Sequence, residues 1–115
     1  MNARPDVPVF LTQQPPPRTG AQQILQEAID VQNARAATRD TPGGERSMAR
    51  TVAIFAAMTD IHLSEEEGWM FMVALKAARA AQGAYNRDDY VDGASYLSLA
   101  GESAGREPKP NEPAS

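Results

Sequence analysis

Two basic and two acidic residues carry the sharpest chemical signal in this chain. Lys76 and Arg79 stand about one helical turn apart in a long apolar run, and Asp89 and Asp92 stand about one turn apart shortly after it. If each pair rides on its own helix and the two helices are antiparallel, the cations face the carboxylates as a four-charge cluster. Trp69 precedes Lys76 by two turns and Tyr96 follows Asp92 by about one, so both rings fall beside the cluster. Three chemistries stay open at this point. The four charges form a buried structural network, because charges on largely apolar helices must be partnered. Alternatively, Lys76 and Arg79 meet phosphate while Trp69 or Tyr96 stacks a base, which makes a nucleotide pocket. In the third, function lies outside the cluster, in an apolar face or a proline-rich arm that binds a partner protein.

The elements that must position these residues are helices. Ser64 followed by Glu67 is a capping box, and the spacing predicts a helix from about Glu65 to Gln82 that is apolar over most of its circumference. A second helix begins near Asn86 and carries Asp89, Asp92 and Tyr96 beside an apolar stripe of Tyr90, Ala94 and Leu97. Upstream, Thr19 with Gln22 offers another capping box. Ile24, Ala28 and Val31 with Leu25 and Ile29 then give an amphipathic helix to about Thr38, whose charges Glu27, Asp30 and Arg35 read as a solvated face. The segment from Arg39 to Gly44 breaks that pattern. Its glycine pair lacks the preceding strand and the lysine and hydroxyl of a phosphate loop. Ser47 caps a further helix with Met48, Val52 and Phe55 at core spacing, ending near Asp60.

No segment alternates with period two, so the fold class is all-α, a compact four-helix domain over 19–103. A Pro-rich arm at 1–18 holds five of the nine prolines, and 104–115 is a tail with no apolar period. The formal net charge of −4 gives no electrostatic reason for general nucleic-acid binding. No cysteine is present, and the single His62 makes no histidine metal cluster. Nothing approaches a membrane span or a signal peptide, so a cytoplasmic protein is expected. A nucleophilic triad and a glycosidase carboxylate pair find no supporting context.

From Ile24 to Glu102 the chain resembles a family of small bacteriophage and prophage proteins of unassigned function. Lys76, Arg79, Asp89, Tyr90, Val91, Asp92, Tyr96, Leu97 and Glu102 stand at matching positions. That family is similar, more distantly, to the MazG-like all-α nucleoside triphosphate pyrophosphohydrolases. The resemblance implies a MazG-like helical architecture in the cytoplasm of a bacterial host and a Mg²⁺ site built from two acidic pairs on adjacent helices. Asp89 and Asp92 would form the catalytic pair, and Glu65 and Glu66 would contribute to the other. Hard oxygen ligands suit Mg²⁺, which neutralises phosphate charge and helps activate water. The departure is at Gly68, Trp69 and Met70, where the first pair needs its second carboxylate. Lys76 and Arg79 nearby would further disfavour a cation, so a degenerate site is expected.

The expectation is therefore a nucleotide-binding or nucleotide-processing protein, a Mg-dependent pyrophosphohydrolase if it is an enzyme. Its alternative is a non-catalytic protein that binds or inhibits a host or defence factor, or sequesters a nucleotide signal. Two helices with apolar faces and few elements to cover them also predict a homo-oligomer, dimer or tetramer.

Overall fold

The structure is a computed structural model that describes residues 20–38 and 47–106. The Thr19 cap, the segment from Arg39 to Gly44, the Pro-rich arm and the tail after Arg106 lie outside the described residues. The described chain forms four helices and no strand: α1 (Ala21–Thr38), α2 (Ser47–Thr59), α3 (Glu65–Ala80) and α4 (Arg87–Arg106). The all-α four-helix expectation holds.

Helix α3 starts at the capping box read from the sequence. The Glu67 amide donates to Ser64 Oγ at 3.0 Å, and the Ser64 amide donates to Glu67 Oε1 at 2.9 Å. Three acidic residues in its first turn complement the positive end of the helix dipole. The chain leaves α3 through Ala81 and turns at Gly83, whose φ of 71° lies in the left-handed region that glycine enters without strain. It re-enters helix where Asn86 Oδ1 accepts from the Asp88 amide at 3.1 Å. The result is an antiparallel α3–α4 hairpin, with α1 packed on α4 and α2 packed on α3.

The sequence pattern puts α3 at the centre, and the structure puts α4 there. Helix α4 buries Asp89, Val91, Ser95, Leu99, Ala100 and Ser103 along one side, whereas α3 buries only Gly68 and Trp69. Phe71 on α3 stays 68% exposed. The reason is size: small side chains along α4 allow both α3 and α1 to approach closely.

Gly68 marks the other close approach. A Cβ placed there would lie 2.9 Å from Val52 Cγ1 and would also overlap the Met48 side chain, so the α2–α3 crossing requires glycine. Met48, Trp69, Leu99 and Ala100 form the core at this end, with Val52, Met72 and Tyr96 packed against it.

Helix α1 is turned differently from its expected orientation. Glu27 and Arg35, read as solvated, face α4 instead, where Glu27 pairs with Arg87 and Arg35 approaches Asp92 at 4.0 Å. Between them, Gln32 Nε2 donates to Ser95 Oγ at 2.8 Å and to Ser98 Oγ at 2.9 Å. Ser95 is completely buried, so this polar contact is a specific lock between α1 and α4. Leu25 and Ile29 are left exposed.

Candidate functional site

Antiparallel pairing in the hairpin sets which charges meet. Lys76 on α3 reaches Asp92 on α4, with Nζ 2.9 Å from Oδ2. The two side chains are only 13% and 19% exposed, so the pair is shielded from solvent without being sealed. Arg35 of α1 supplies the second cation, and Asp92 thus serves as the centre of a three-residue bridge across α1, α3 and α4. The four-charge cluster expected from the sequence is not the one that forms. Arg79 is exposed and makes no ion pair among the described residues, while Arg35 takes a place beside Asp92.

Asp89 is the unusual member. It is 7% exposed, and among the described residues no hydrogen bond or ion pair reaches its carboxylate. Its position in the first turn of α4 favours a negative charge through the helix dipole, which explains why the site tolerates a carboxylate. The dipole does not fill the acceptor positions of the oxygens, which are not among the fully buried side-chain atoms without a partner and so retain some access to water.

Asp89 lines a groove of about 250 Å³ between the end of α3 and the start of α4. Val73, Ala77 and Ala80 form one wall, while Tyr90, Ala94 and Leu97 contribute to the other. Gly93 also lines it and lies against Lys76, where an added Cβ would sit 3.7 Å from Lys76 Cβ, an ordinary contact. Lys76 and Asp89 are the two charged residues of the lining, yet the surface that the groove exposes is almost wholly apolar, so their charged atoms contribute little to it. Tyr90 stacks on Tyr85 with ring centroids 5.6 Å apart and planes 22° from parallel. Both tyrosines are substantially exposed, so the pair offers an aromatic surface beside the groove.

The rings expected to stack a base sit elsewhere. Trp69 is buried, and it stacks on Tyr96 at 5.7 Å and 20° as part of the core. Tyr90 and Tyr85 hold the exposed position instead. Tyr90 was legible only as part of an apolar stripe, and Tyr85 falls in the turn, where helical periodicity carries no signal.

The expected metal ligands do not converge. Glu65 lies at the opposite end of the hairpin from Asp89 and Asp92, bridged to Arg106 at 3.2 Å, and Glu66 follows it in the same turn. From Glu65 to Lys76 the helix rises by roughly 16 Å, at ~1.5 Å per residue. Asp92 is engaged by two cations, and among the described residues no group of three or more His, Asp or Glu side chains is placed to hold a metal ion. Gly68, where the missing ligand would stand, is filled by the α2 crossing. The residues present do not fit the two-pair Mg²⁺ site. Among the described residues, no helix is long and apolar enough to cross a membrane.

Fold and site together define an all-α domain built on a helical hairpin, with a shielded acid–base bridge and, at the turn end, a carboxylate that has no partner among the described residues. The chain belongs to the family described as a domain of unknown function (DUF6378), whose model matches residues 23–104. No curated protein and no solved structure matches it.

Proposed function

We propose that the protein binds a nucleotide at the turn end of the α3–α4 hairpin and holds it without hydrolysing it. The observation that carries this reading is Asp89, a buried carboxylate with no partner among the described residues, lining an apolar groove beside exposed aromatic rings. Lys76 lines the same groove, and Arg79 lies one turn further along α3 with its guanidinium unpaired among the described residues. An unpaired arginine is well suited to phosphate, which its planar fork meets with two parallel hydrogen bonds. The separation of the carboxylates speaks for binding over Mg-dependent pyrophosphate release. A MazG-like kinship and a phage or prophage setting belong to this proposal and rest on the resemblance of the closing segment, Lys76 to Glu102.

Calorimetric titration with nucleoside mono-, di- and triphosphates and cyclic nucleotides, with and without Mg²⁺, tests this reading. Saturable binding independent of Mg²⁺, with no pyrophosphate released, is the expected result. The absence of binding to every nucleotide would overturn it.

A second reading is favoured by a separate observation. On α2, Ile54 and Met58 are exposed, Met58 to 76%, and Phe71 stands exposed on α3 one turn beyond the α2 crossing. Large apolar side chains displayed in this number mark an association surface. Self-association into a dimer or larger homo-oligomer is the form proposed here, and a host or defence protein is the competing occupant. Light scattering at micromolar concentration separates them, because only self-association raises the mass of the purified protein.

A further inference from the structure

The surface that the turn-end groove exposes is almost wholly apolar, so an apolar occupant suits it best. Tyr90 and Leu97 on its α4 wall keep 44% and 52% of their surface exposed, although side chains of this size gain from burial. A volume of about 250 Å³ falls below the ~300–1,000 Å³ of sites that enclose drug-sized ligands, which fits a few apolar side chains of a peptide. Beside the groove, the stacked Tyr85 and Tyr90 rings offer the kind of aromatic surface on which proline-rich segments dock.

The chain itself carries a segment of that kind. Met1 to Thr19 lies outside the described residues, and Val7, Pro8, Val9, Phe10 and Leu11 are its one run of large apolar residues. Where the described chain begins decides what this run can reach. Glu27 pairs with Arg87, the first residue of α4, while Gln32, further along α1, reaches Ser95 and Ser98. Helix α1 therefore runs in the same sense as α4, and Gly20 lies toward the turn end, roughly 10 Å before Glu27 at ~1.5 Å per residue. Fully extended, residues 12–19 span at most about 26–29 Å. The face of α4 that lines the groove is roughly a third of a turn from the face that meets α1, at ~100° per residue, and is within that reach. The apolar patch of Ile54 and Met58 is not, because α2 packs on α3 at Gly68, near the opposite end of the hairpin, and α4 alone separates the two ends by roughly 30 Å.

We propose that the groove is the docking site of this chain's own residues Val7 to Leu11, with Phe10 as the anchor that enters between α3 and α4. Burial of this run against Val73, Ala77, Tyr90, Ala94 and Leu97 removes apolar surface from water on both sides. Because arm and groove belong to one chain, the entropic cost is that of closing a short loop and not of joining two molecules. The contact asks nothing of the Lys76 ammonium, which Asp92 holds at 2.9 Å. An arm in the groove competes with any other occupant, so the test uses no nucleotide and stands apart from the nucleotide reading.

The protein has no cysteine, so Thr12→Cys places a single nitroxide label beside the run in the full chain. In methyl NMR spectra, Val73, Ala77, Ala94 and Leu97 are expected to lose at least half of their intensity relative to the sample with the nitroxide reduced, while Ile54 and Met58 keep theirs. Adding Phe10→Ser to the labelled chain should restore the groove signals with the circular dichroism unchanged, and so should Leu97→Ser, made at a half-exposed position that folding tolerates. Broadening centred on Ile54 and Met58, or none at the groove, overturns the proposal. Groove broadening that survives Phe10→Ser overturns the anchor. Broadening that appears when nitroxide and isotope label are carried on different chains assigns the groove to a second copy and overturns docking within one chain.

Discussion

The two ends of the α3–α4 hairpin use the same kinds of residue in opposite ways. At the open end, where α3 begins and α4 finishes, charged groups have partners close by. Glu67 closes the capping box, while Arg106 bridges Glu65 and Glu102 at 3.2 Å each. Beneath them lies the core of Met48, Trp69, Leu99 and Ala100. At the turn end, Asp92 is held by Lys76 and Arg35, yet Asp89 is buried without a partner among the described residues and Arg79 stands unpaired among them. One end thus completes itself, and the other leaves charged groups without partners among the described residues. Stability should reside in the open end and function in the turn end, which is a contrast that mutation can break.

The largest expected effect is at the open end. Trp69→Ala removes a buried ring that stacks on Tyr96 and packs within the core, and should cost about 3–5 kcal/mol in urea unfolding. A loss below ~1 kcal/mol would show that the core does not depend on this ring. The next effect probes the boundary between the two roles. Lys76→Ala leaves Asp92 with Arg35 alone at 4.0 Å, and the partial exposure of the pair places the cost between that of surface and buried bridges, about 2 kcal/mol. Removing the charge of Asp92 as well should recover part of the loss, and a double-mutant cycle measures how much. Ser64→Ala then loses the hydroxyl of the capping box and should cost about 1 kcal/mol, with nucleotide affinity unchanged. A change of affinity in that variant would show that the two ends are coupled.

The contrast between the ends was only half visible in the sequence. The hairpin was legible because its signals are local: the Ser64–Glu67 box, the apolar run after it, and Asn86 opening the next helix each act within one turn. The central place of α4 was not, because Ser95, Ser103 and Gly93 register as polar or neutral although their small size is what lets neighbours close in. Likewise Arg35 reads as surface on its own helix. Its approach to Asp92 depends on α1 docking onto α4 through Gln32 and Ser95, a contact between residues far apart in the chain. Gly68 reads as a missing metal ligand, and only the α2 crossing shows that no side chain fits there. Asp89 reads from the sequence as a metal ligand or an ion-pair partner and Lys76 as a phosphate contact, and neither reading includes the Tyr85–Tyr90 pair beside the groove.

The smallest effect on stability is also the sharpest test of the comparison. Arg79 is exposed, with no ion pair among the described residues, so Arg79→Ala should alter unfolding free energy by no more than about 0.5 kcal/mol. Had the guanidinium been a buried partner of Asp89 or Asp92, the same change would strand a carboxylate and cost ~3–5 kcal/mol. If Arg79 is instead the phosphate contact, affinity for a nucleotide should fall by at least tenfold while affinity for the corresponding nucleoside is unchanged. The loss should shrink as salt rises, because an exposed ionic contact is screened over a Debye length of ~8 Å at physiological ionic strength. Measuring urea stability and calorimetric affinity on one preparation separates the two roles. A stable variant with undiminished nucleotide binding would remove Arg79 from the site and leave Lys76, the one cation that lines the groove among the described residues, as the remaining candidate for the phosphate contact.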